Sequence, residues 1–191
     1  MVNPNLFDPK KIDVLDAEER KIWQNPEEIL GIIEIKSSVV VADIGCGSGF
    51  FTLPVSEKVA KVYAVDVQMK MIESLERKIQ NFKIENIKTL LAQKNEIPLE
   101  NNSVDLLLSI NTLHEFDDKE KMISEMERVL KKNGKALISD WKKKNTGFGP
   151  PIAVRVSREQ AVNLFKKKEF NLLKKKDLLY HYLLVFEKRM M

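Results

Sequence analysis

Apolar residues follow two different rhythms along the chain, and these rhythms alternate. The run Val39 to Ile44 is short, rich in valine and ends at Gly45, which favours a buried strand over a helix. From Met69 to Phe82 the apolar residues instead recur every three or four positions, as on the face of a helix that lies on a sheet. The pattern therefore predicts strands separated by helices.

The same alternation continues through the central part of the chain. A helix is predicted to end before Asn133 and Gly134, which are typical helix-terminating residues. The positions assigned to its inner face are Met122, Met126, Val129 and Leu130. The other elements predicted here are a short helix from Phe50 to Lys58 and the strands Val62 to Val65, Ile87 to Leu91, Val104 to Ile110 and Lys135 to Ser139. Strands separated in this way imply right-handed crossovers and a mostly parallel sheet, so the predicted fold class is doubly wound α/β.

The C-terminal residues break this rhythm. Ser157, with Gln160 three positions later, has the spacing of a helix capping box. The runs Asn171 to Lys176 and His181 to Lys188 follow it and are separated by too few residues for a helix. We therefore expect these two strands to pair antiparallel.

Composition narrows the class of protein. With 43% hydrophobic and 31% charged residues the chain can fill a core, which excludes a disordered or collagen-like chain. The first thirty residues contain no basic leader followed by an apolar stretch. No apolar run reaches the roughly 20 residues that a membrane span needs, so we expect a cytoplasmic protein. One cysteine and two histidines allow no internal disulfide and no ordinary structural zinc site, so no metal is predicted.

Positive charge is concentrated towards the C-terminus. The net charge is +4, yet Lys131 to Lys176 contains 14 Lys and Arg against three Asp and Glu. The lysine clusters at 142–144, 166–168 and 174–176 indicate either a solvated surface or a face for RNA or another polyanion. Few aromatic residues lie among these lysines, which favours the solvated surface.

The strongest chemical signal is the glycine-rich segment Asp43 to Gly49, which follows the first predicted strand and precedes a helix. Such a loop lets a ligand approach the N–H groups at a helix N-terminus. A dinucleotide fingerprint needs a glycine where this chain has Phe50, so a pyrophosphate ligand is disfavoured. Asp66 ends the second strand, where a carboxylate can accept hydrogen bonds from both hydroxyls of a ribose. The pair of features predicts an adenosine-like ligand.

The chain resembles the class I S-adenosylmethionine (SAM) dependent methyltransferases. Four segments carry the resemblance in the order found in the family: VADIGCGSGFFT (41–52), VYAVDVQMKMI (62–72), EIPL followed by SVDLLLS (96–109), and RVLKKNGKALISD (128–140). The small-molecule branch, which includes the quinone-biosynthesis methyltransferases, is the most similar. The resemblance implies a seven-stranded, mostly parallel sheet with an antiparallel last strand.

The length of 191 residues predicts one domain, since a domain typically has roughly 150 residues. Residues 1–38 would form an N-terminal helical cap around Trp23 and a short helix that begins at Asn25 and Pro26. Residues 39–140 would form the SAM-binding core. Residues 141–191 would contribute a loop, a cap helix and the terminal antiparallel strands.

Carried over by motif, several residues would contact SAM. Asp43 would lie beneath the glycine loop and reach the ammonium group of SAM, Asp66 would hold the ribose, and Ser109 would end strand four beneath the sulfonium. Many relatives have an acidic residue where this chain has Gln93, whose amide could still bond the adenine amino group. The full set of cofactor contacts implied by the resemblance is Asp43, Gly45, Cys46, Gly47, Asp66, Val67, Met71, Gln93, Lys94, Asn95, Ser109 and Ile110.

Methyl transfer from a sulfonium is an in-line displacement, so the protein mainly aligns the reactants and excludes water. A general base is needed only if the acceptor arrives protonated. His114, with Glu115 beside it, and Asp140, at the end of strand five, are the candidate catalytic residues, because these loops face the ligand crevice. His181 lies within a terminal strand and is predicted to be structural and distant from that crevice.

Three alternatives to a small-molecule methyltransferase stay open at this level. The basic C-terminal third could bind RNA or another polyanion as acceptor. The chain could bind SAM without catalysis, or be a nicotinamide-dependent oxidoreductase, which Phe50 argues against. The acceptor and the oligomeric state are not predicted, and the segment 141–151, rich in Gly, Pro and Lys, is a candidate lid over the acceptor pocket.

Overall fold

A seven-stranded mixed sheet organises the protein. The computed structural model describes residues 6–189. The strands are β1 (Val40–Ile44), β2 (Lys61–Asp66), β3 (Ile87–Leu91), β4 (Val104–Ile110), β5 (Leu130–Trp141), β6 (Phe170–Asp177) and β7 (His181–Lys188). Their order across the sheet is β3-β2-β1-β4-β5-β7-β6.

Helices connect β1 to β2, β2 to β3 and β4 to β5, whereas residues 92–103 run from β3 to β4 without a helix. Polar side chains cap several of the helices. Asp118 and Ser157 accept hydrogen bonds from backbone N–H groups one turn into their helices, and Ser157 forms the predicted capping box with Gln160. Residues 6–189 contain 3-10 helices at Pro9–Leu15 and Leu113–Glu115 and the α-helices α1 (Arg20–Trp23), α2 (Pro26–Leu30), α3 (Thr52–Ser56), α4 (Met69–Phe82), α5 (Lys119–Val129) and α6 (Arg158–Lys166).

Strand direction places the functional edge of the sheet. Strands β1 to β5 pair in parallel, whereas β7 pairs antiparallel with both β5 and β6. The carboxyl ends of the parallel strands therefore meet along one edge, as in other doubly wound sheets. The predicted fold class and the antiparallel terminal strands are confirmed.

Both faces of the sheet are covered, which explains why the strands read as continuous apolar runs. Leu106, Leu107 and Leu108 on β4 point alternately to the two faces, and each is at most 4% exposed. Leu107 packs with helices α5 and α6 on one side, whereas Leu106 and Leu108 pack with α2 and α3 on the other. Among residues 6–189, none of the helices combines the length and apolar character that a bilayer span requires.

Two element boundaries differ from the sequence prediction. Leu130, predicted on the inner face of a helix, begins β5 instead, and Asn133 and Gly134 lie within that strand. The reason is that Asn133 adopts a left-handed conformation, with φ of 59°, at a register shift between β4 and β5. Helix α3 is shorter than predicted because Phe50 and Phe51 still belong to the turn that follows the glycine loop.

Candidate active site

A cavity of about 580 Å³ lies at the carboxyl edge of the sheet. Its walls come from the residues that end or follow β1 to β5, together with N-terminal residues between Leu6 and Trp23. A volume of this size is typical of small-molecule and cofactor sites. The sheet therefore gathers the motifs that the sequence scatters over more than one hundred residues.

The glycine loop enters this cavity in a conformation that requires glycine. Gly45 has φ of 72°, and a Cβ atom there would collide with the Thr112 side chain. The N–H groups of Gly45 and Cys46 both donate to the carbonyl of Val65, at 2.8 and 3.1 Å. The loop is thus pressed between the ends of β2 and β4, and Gly45, Cys46 and Gly47 all line the cavity.

Asp66 lies at the end of β2 and holds the loop in place. Its Oδ2 atom accepts a hydrogen bond from Gly47 N at 2.9 Å, and Oδ1 accepts one from Gln68 N at 2.9 Å. Burial raises the pKa of Asp66, while the backbone N–H donors act in the opposite direction. A carboxylate has about four lone-pair sites, so Asp66 can still accept hydrogen bonds from a ligand in the cavity that it lines.

Asp43 lies below the loop at the end of β1 and is 3% exposed. Its Oδ2 atom accepts a hydrogen bond from Thr52 Oγ1 at 2.6 Å. Burial raises the pKa of Asp43 to about 6, although the Thr52 hydroxyl and the charge of Arg20 oppose this. A carboxylate with this pKa is suited to a cationic ligand, which would draw it into its ionised form.

Arg20, on α1, is a wall residue that the sequence did not reveal. Its guanidinium is 8% exposed and lies 4.1 Å from the centre of the Phe50 ring. Nε donates to Gln24 Oε1 at 3.0 Å and Nη1 to the Leu15 carbonyl at 2.9 Å. Burial lowers the pKa of Arg20 to about 10, against the attraction of Asp16 and Asp43. A lone arginine in a charged N-terminal segment gives no sequence signal of its place in the fold.

The cavity lining also includes the residues that the resemblance places against the adenine, namely Val67, Met71 and the segment 93–95. Met71 is buried, Val67 is 39% exposed, and the segment 93–95 lies along the rim. Lys94 forms an ion pair with Asp117 at 2.8 Å, which ties this segment to the loop after β4. The assignment of these residues to the cofactor stays a prediction.

His114 and Asp140 form a buried pair at the ends of β4 and β5. The Nδ1 atom of His114 lies 2.7 Å from Asp140 Oδ1, and the His114 backbone N–H donates to Oδ2 at 2.9 Å. Burial lowers the pKa of His114, but the charge and hydrogen bond of Asp140 outweigh it, so the net shift is upward. With Nδ1 donating to Asp140, Nε2 is the ring nitrogen that can accept a proton.

Two of the predicted site residues do not line the cavity. Asp140, predicted to be catalytic, is fully buried and contacts His114 instead of the cavity. Ser109, predicted beneath the sulfonium, is also fully buried, and its hydroxyl pairs with Thr112 Oγ1 at 2.7 Å. Neighbouring residues of a strand point to opposite faces, so Ile110 rather than Ser109 reaches the cavity.

Glu115 extends the buried pair into a row of three ionisable groups. Its Oε1 atom lies 3.8 Å from His114 Nε2. Burial raises the pKa of Glu115 to about 7, against the attraction of His114 and a hydrogen bond from the Phe7 backbone. The side chain of Glu115 is 15% exposed, compared with 4% for His114, and lines the cavity.

Three aromatic rings, which we call the aromatic wall, close the cavity beside this row: Trp23, Trp141 and Phe148. Their ring centres lie 5.4 to 5.7 Å apart. Arg155 fixes the loop that carries Phe148 by donating hydrogen bonds to the carbonyls of Lys142, Lys144, Phe148 and Pro150. The function of this loop as a lid stays a prediction.

His181 lies behind the aromatic wall, so the prediction that it is distant from the crevice is wrong. Because β7 is antiparallel to β5, its first residue pairs with Trp141 at the carboxyl edge. The imidazole stacks on Trp23 with 5.4 Å between ring centres, and neither ring nitrogen has a hydrogen-bond partner among the described residues. Burial lowers the pKa of His181 to about 3.

The charge of the cavity contrasts with that of the whole chain. The net charge of the chain is +4. Within residues 6–189, however, six acidic residues and three basic ones line the cavity. The acidic ones are Asp8, Asp43, Asp66, Glu96, Glu115 and Asp117, and the basic ones are Lys11, Arg20 and Lys94. This lining favours a cationic or neutral ligand over an anionic one.

The lysine clusters at 166–168 and 174–176 lie outside the cavity lining, and members of both have local partners. Lys167 pairs with Glu120 at 2.8 Å and Lys176 with Glu28 at 2.7 Å. Lys174 to Lys176 lie on β6, the edge strand of the sheet, where lysines prevent pairing with another strand. These contacts favour the solvated-surface interpretation.

The family model of the methyltransferase domain (Methyltransf_11) matches residues 42–138, just over half of the chain. The uncharacterized methyltransferase YcgJ of Bacillus subtilis is 29% identical over 126 residues, which are 64% of this chain and 49% of that protein. The demethylmenaquinone methyltransferase of Bacillus cereus is 25% identical over 127 residues, or 65% of this chain and 53% of that protein. The chain thus spans about half the length of these relatives.

A solved structure extends the similarity to nearly the whole chain. The SAM-dependent methyltransferase of Aquifex aeolicus is 30% identical, with a TM-score of 0.91. The match covers 96% of this chain and all of that one. This chain belongs to the methyltransferase-domain family, whose methyl donor is S-adenosylmethionine.

Proposed function

We propose that the protein transfers a methyl group from SAM to a small molecule bound in the cavity, against the aromatic wall. The observation that carries the proposal is that the glycine loop, Glu115, His114 and Trp141 line one cavity of about 580 Å³. That volume suits a cofactor with a small acceptor. A polyanionic acceptor such as RNA would need a basic approach surface, which the acidic lining does not provide.

The lining fits the chemistry of the cofactor. Asp66 accepts hydrogen bonds from the ribose hydroxyls, and Asp43 attracts the ammonium group. Val67 and Met71 flank the adenine, and the segment 93–95 covers it. The cofactor would supply the methyl group on a sulfonium, which activates it for transfer.

His114 is the general base of the proposed reaction. Asp140 holds its Nδ1 atom at 2.7 Å, which fixes the orientation of the ring and leaves Nε2 to take a proton from the acceptor. Asp140 is a positioning residue, because it touches His114 and not the cavity. The aromatic wall excludes water from the site, so that the acceptor and not water is aligned with the methyl group.

The proposal is tested with SAM labelled in its methyl group, incubated with a low-molecular-mass cell extract and, separately, with RNA. We expect label in small molecules, and loss of this label in the variant H114N. The double variant K166A/K168A alters a basic cluster outside the cavity and keeps the activity. Label that enters RNA and disappears in K166A/K168A would identify a polyanion methyltransferase instead. Calorimetric binding of SAM without transfer to either pool would identify a binding protein that lacks catalysis.

A further inference from the structure

Glu115 has no task in the functions assigned so far, although it is more open to the cavity than its neighbour His114. The Glu115 side chain is 15% exposed and the His114 side chain 4%. The Glu115 carboxylate accepts a hydrogen bond from the Phe7 backbone and keeps lone pairs for further donors. A ligand that reaches His114 from the cavity therefore passes close to Glu115.

The aromatic wall and Glu115 line the same cavity, and Asp140 contacts both Trp141 of the wall and His114, the neighbour of Glu115. Asp140 Oδ1 lies 2.7 Å from His114 Nδ1 and accepts the Trp141 backbone N–H at 2.7 Å. The Asp140 carboxylate thus holds both the imidazole of His114 and the backbone of Trp141, a residue of the aromatic wall. The Nε2 atom of the same imidazole lies 3.8 Å from Glu115. Aromatic faces attract cations within about 6 Å of the ring centre, and a carboxylate beside them adds charge attraction.

Asp43 and Asp66 are assigned to the cofactor, whereas Glu115 is not. Asp43 and Asp66 lie at the carboxyl ends of β1 and β2, beside the glycine loop. Glu115 follows β4 and lines the same cavity. Besides burial, the charges of Asp66 and Asp140 act on Glu115 and help to raise its pKa, so a cation beside Glu115 would stabilise its ionised form.

We propose, on the basis of the function proposed above, that the acceptor is an amine, bound as its ammonium form by Glu115 and the aromatic wall. The ammonium gives its proton to His114 Nε2 and becomes a neutral amine. Its lone pair forms the nitrogen–carbon bond while the carbon–sulfur bond breaks and leaves its electron pair on sulfur. The product is a methylated ammonium ion, whose charge Glu115 stabilises as it develops.

The same charges act against a phenol as acceptor. A phenol must lose its proton to become a good nucleophile, and the resulting phenolate would lie near the carboxylates of Glu115 and Asp140. Like charges in a buried site repel strongly. An amine instead carries positive charge before and after the transfer, so both states are attracted.

The test uses the fact that the two tryptophans of the chain, Trp23 and Trp141, both line the cavity. Their fluorescence reports ligand binding in protein saturated with S-adenosylhomocysteine. The probes are 2-phenylethylamine, its neutral isostere 2-phenylethanol, and 4-ethylphenol. We expect the amine to bind about tenfold more tightly than either neutral probe. When SAM replaces S-adenosylhomocysteine, mass spectrometry should detect the methylated amine.

The variant E115Q should reduce the preference for the amine to less than about twofold, while its affinity for S-adenosylhomocysteine stays unchanged and shows that it is folded. The control E120Q removes an equal charge from the exposed surface of α5 and should keep the preference. Equal or tighter binding of the alcohol or the phenol, or no response to any probe, would overturn the amine proposal alone. Failure of the wild-type protein to bind S-adenosylhomocysteine would instead overturn the proposed function.

Discussion

The imidazole of His114 and the carboxylate of Asp140 lie 2.7 Å apart, Nδ1 to Oδ1, and both side chains are at least 96% buried. Burial alone would disfavour the charged imidazole. The carboxylate reverses this, so the pKa of His114 is raised. One contact across the ends of β4 and β5 thus sets both the orientation and the basicity of the proposed general base.

Removal of Asp140 should therefore lower the pKa of His114. The chain has two histidines, so NMR can follow both imidazoles separately. In the wild type we expect His114 to titrate above the ordinary value of about 6.5, and in D140N at a lower pH, because burial is then opposed only by the charge of Glu115. Methyl transfer should fall on the order of 100-fold in H114N, the lower range for loss of a general base. An unchanged His114 titration in D140N would contradict the pairing.

His181 should make the stability of the protein depend on pH. Its pKa is lowered to about 3 in the folded state and is about 6.5 in the unfolded state. Between these values the unfolded chain binds the proton and the folded protein does not, so stability is present above pH 6.5 and is lost as the pH falls. The expected loss is about 1.4 kcal/mol per pH unit between pH 6 and 4.

The matched comparison for this effect is H181F, whose ring can keep the stacking on Trp23. Urea unfolding at pH 6 and pH 4 measures both proteins, and other titrating groups contribute equally to each. The wild type should lose more stability than H181F over this interval. Equal losses in the two proteins would show that His181 already has a partner or is accessible to water.

Cofactor affinity should weaken below about pH 6 because of Asp43. Its pKa is raised to about 6, and the groups that face it are Thr52, Asp66 and Arg20. Attraction of the cofactor ammonium needs the ionised carboxylate, so calorimetry should show S-adenosylhomocysteine binding more tightly as the pH rises from 5 to 7.

The control ligand is 5′-methylthioadenosine, which keeps the adenine, ribose and sulfur but has no ammonium group. Its affinity should not follow the ionisation of Asp43, and any contribution of Asp66 to ribose binding should appear for both ligands. The variant D43N should bind S-adenosylhomocysteine more weakly and with less dependence on pH. An equal pH dependence for the two ligands would assign the effect to another group.

Two glycines with the same backbone conformation allow backbone strain and steric collision to be separated. Gly45 has φ of 72° and Gly147 has φ of 77°, but a Cβ atom collides with Thr112 at Gly45 and meets nothing within 4 Å at Gly147. G147A should cost about 1 kcal/mol of unfolding free energy from strain alone. G45A should cost about 3 kcal/mol in urea unfolding.

The double variant G45A/T112S isolates the collision further, because serine lacks the methyl group that the added Cβ atom would meet. It should recover the part of the unfolding free energy that G45A loses through the collision, but not the part lost through backbone strain. A G45A variant as stable as G147A would mean that the loop can move away from the end of β4.

Arg155 should hold the loop that carries Phe148. Its guanidinium donates to four backbone carbonyls of this loop, and its centre lies 5.2 Å from the centre of the Trp141 ring. In R155Q we expect limited proteolysis to cut within 142–151 several times faster than in the wild type. The control R158Q alters a neighbouring exposed arginine that pairs with Glu159 and Asp177. Equal cleavage in wild type and R155Q would show that other contacts hold the loop.

Local sequence determined the strands, the glycine loop and the two acidic residues that end β1 and β2. Their signals are short: a valine-rich run, glycines that adopt positive φ, and Asp43 and Asp66 at strand ends. Each depends on residues within a few positions of one another, and parallel pairing then brings the strand ends together without further information.

Only the tertiary structure decided which side chains reach the cavity. Asp140 lies 26 residues from His114, and no pattern states that its carboxylate faces the imidazole rather than a ligand. Arg20 reaches the site because its guanidinium packs on Phe50, next to the glycine loop. His181 reaches it because an antiparallel strand begins at the edge where its parallel neighbour ends. Side-chain direction and long-range packing depend on the whole folded chain, whereas periodicity records only which residues are buried.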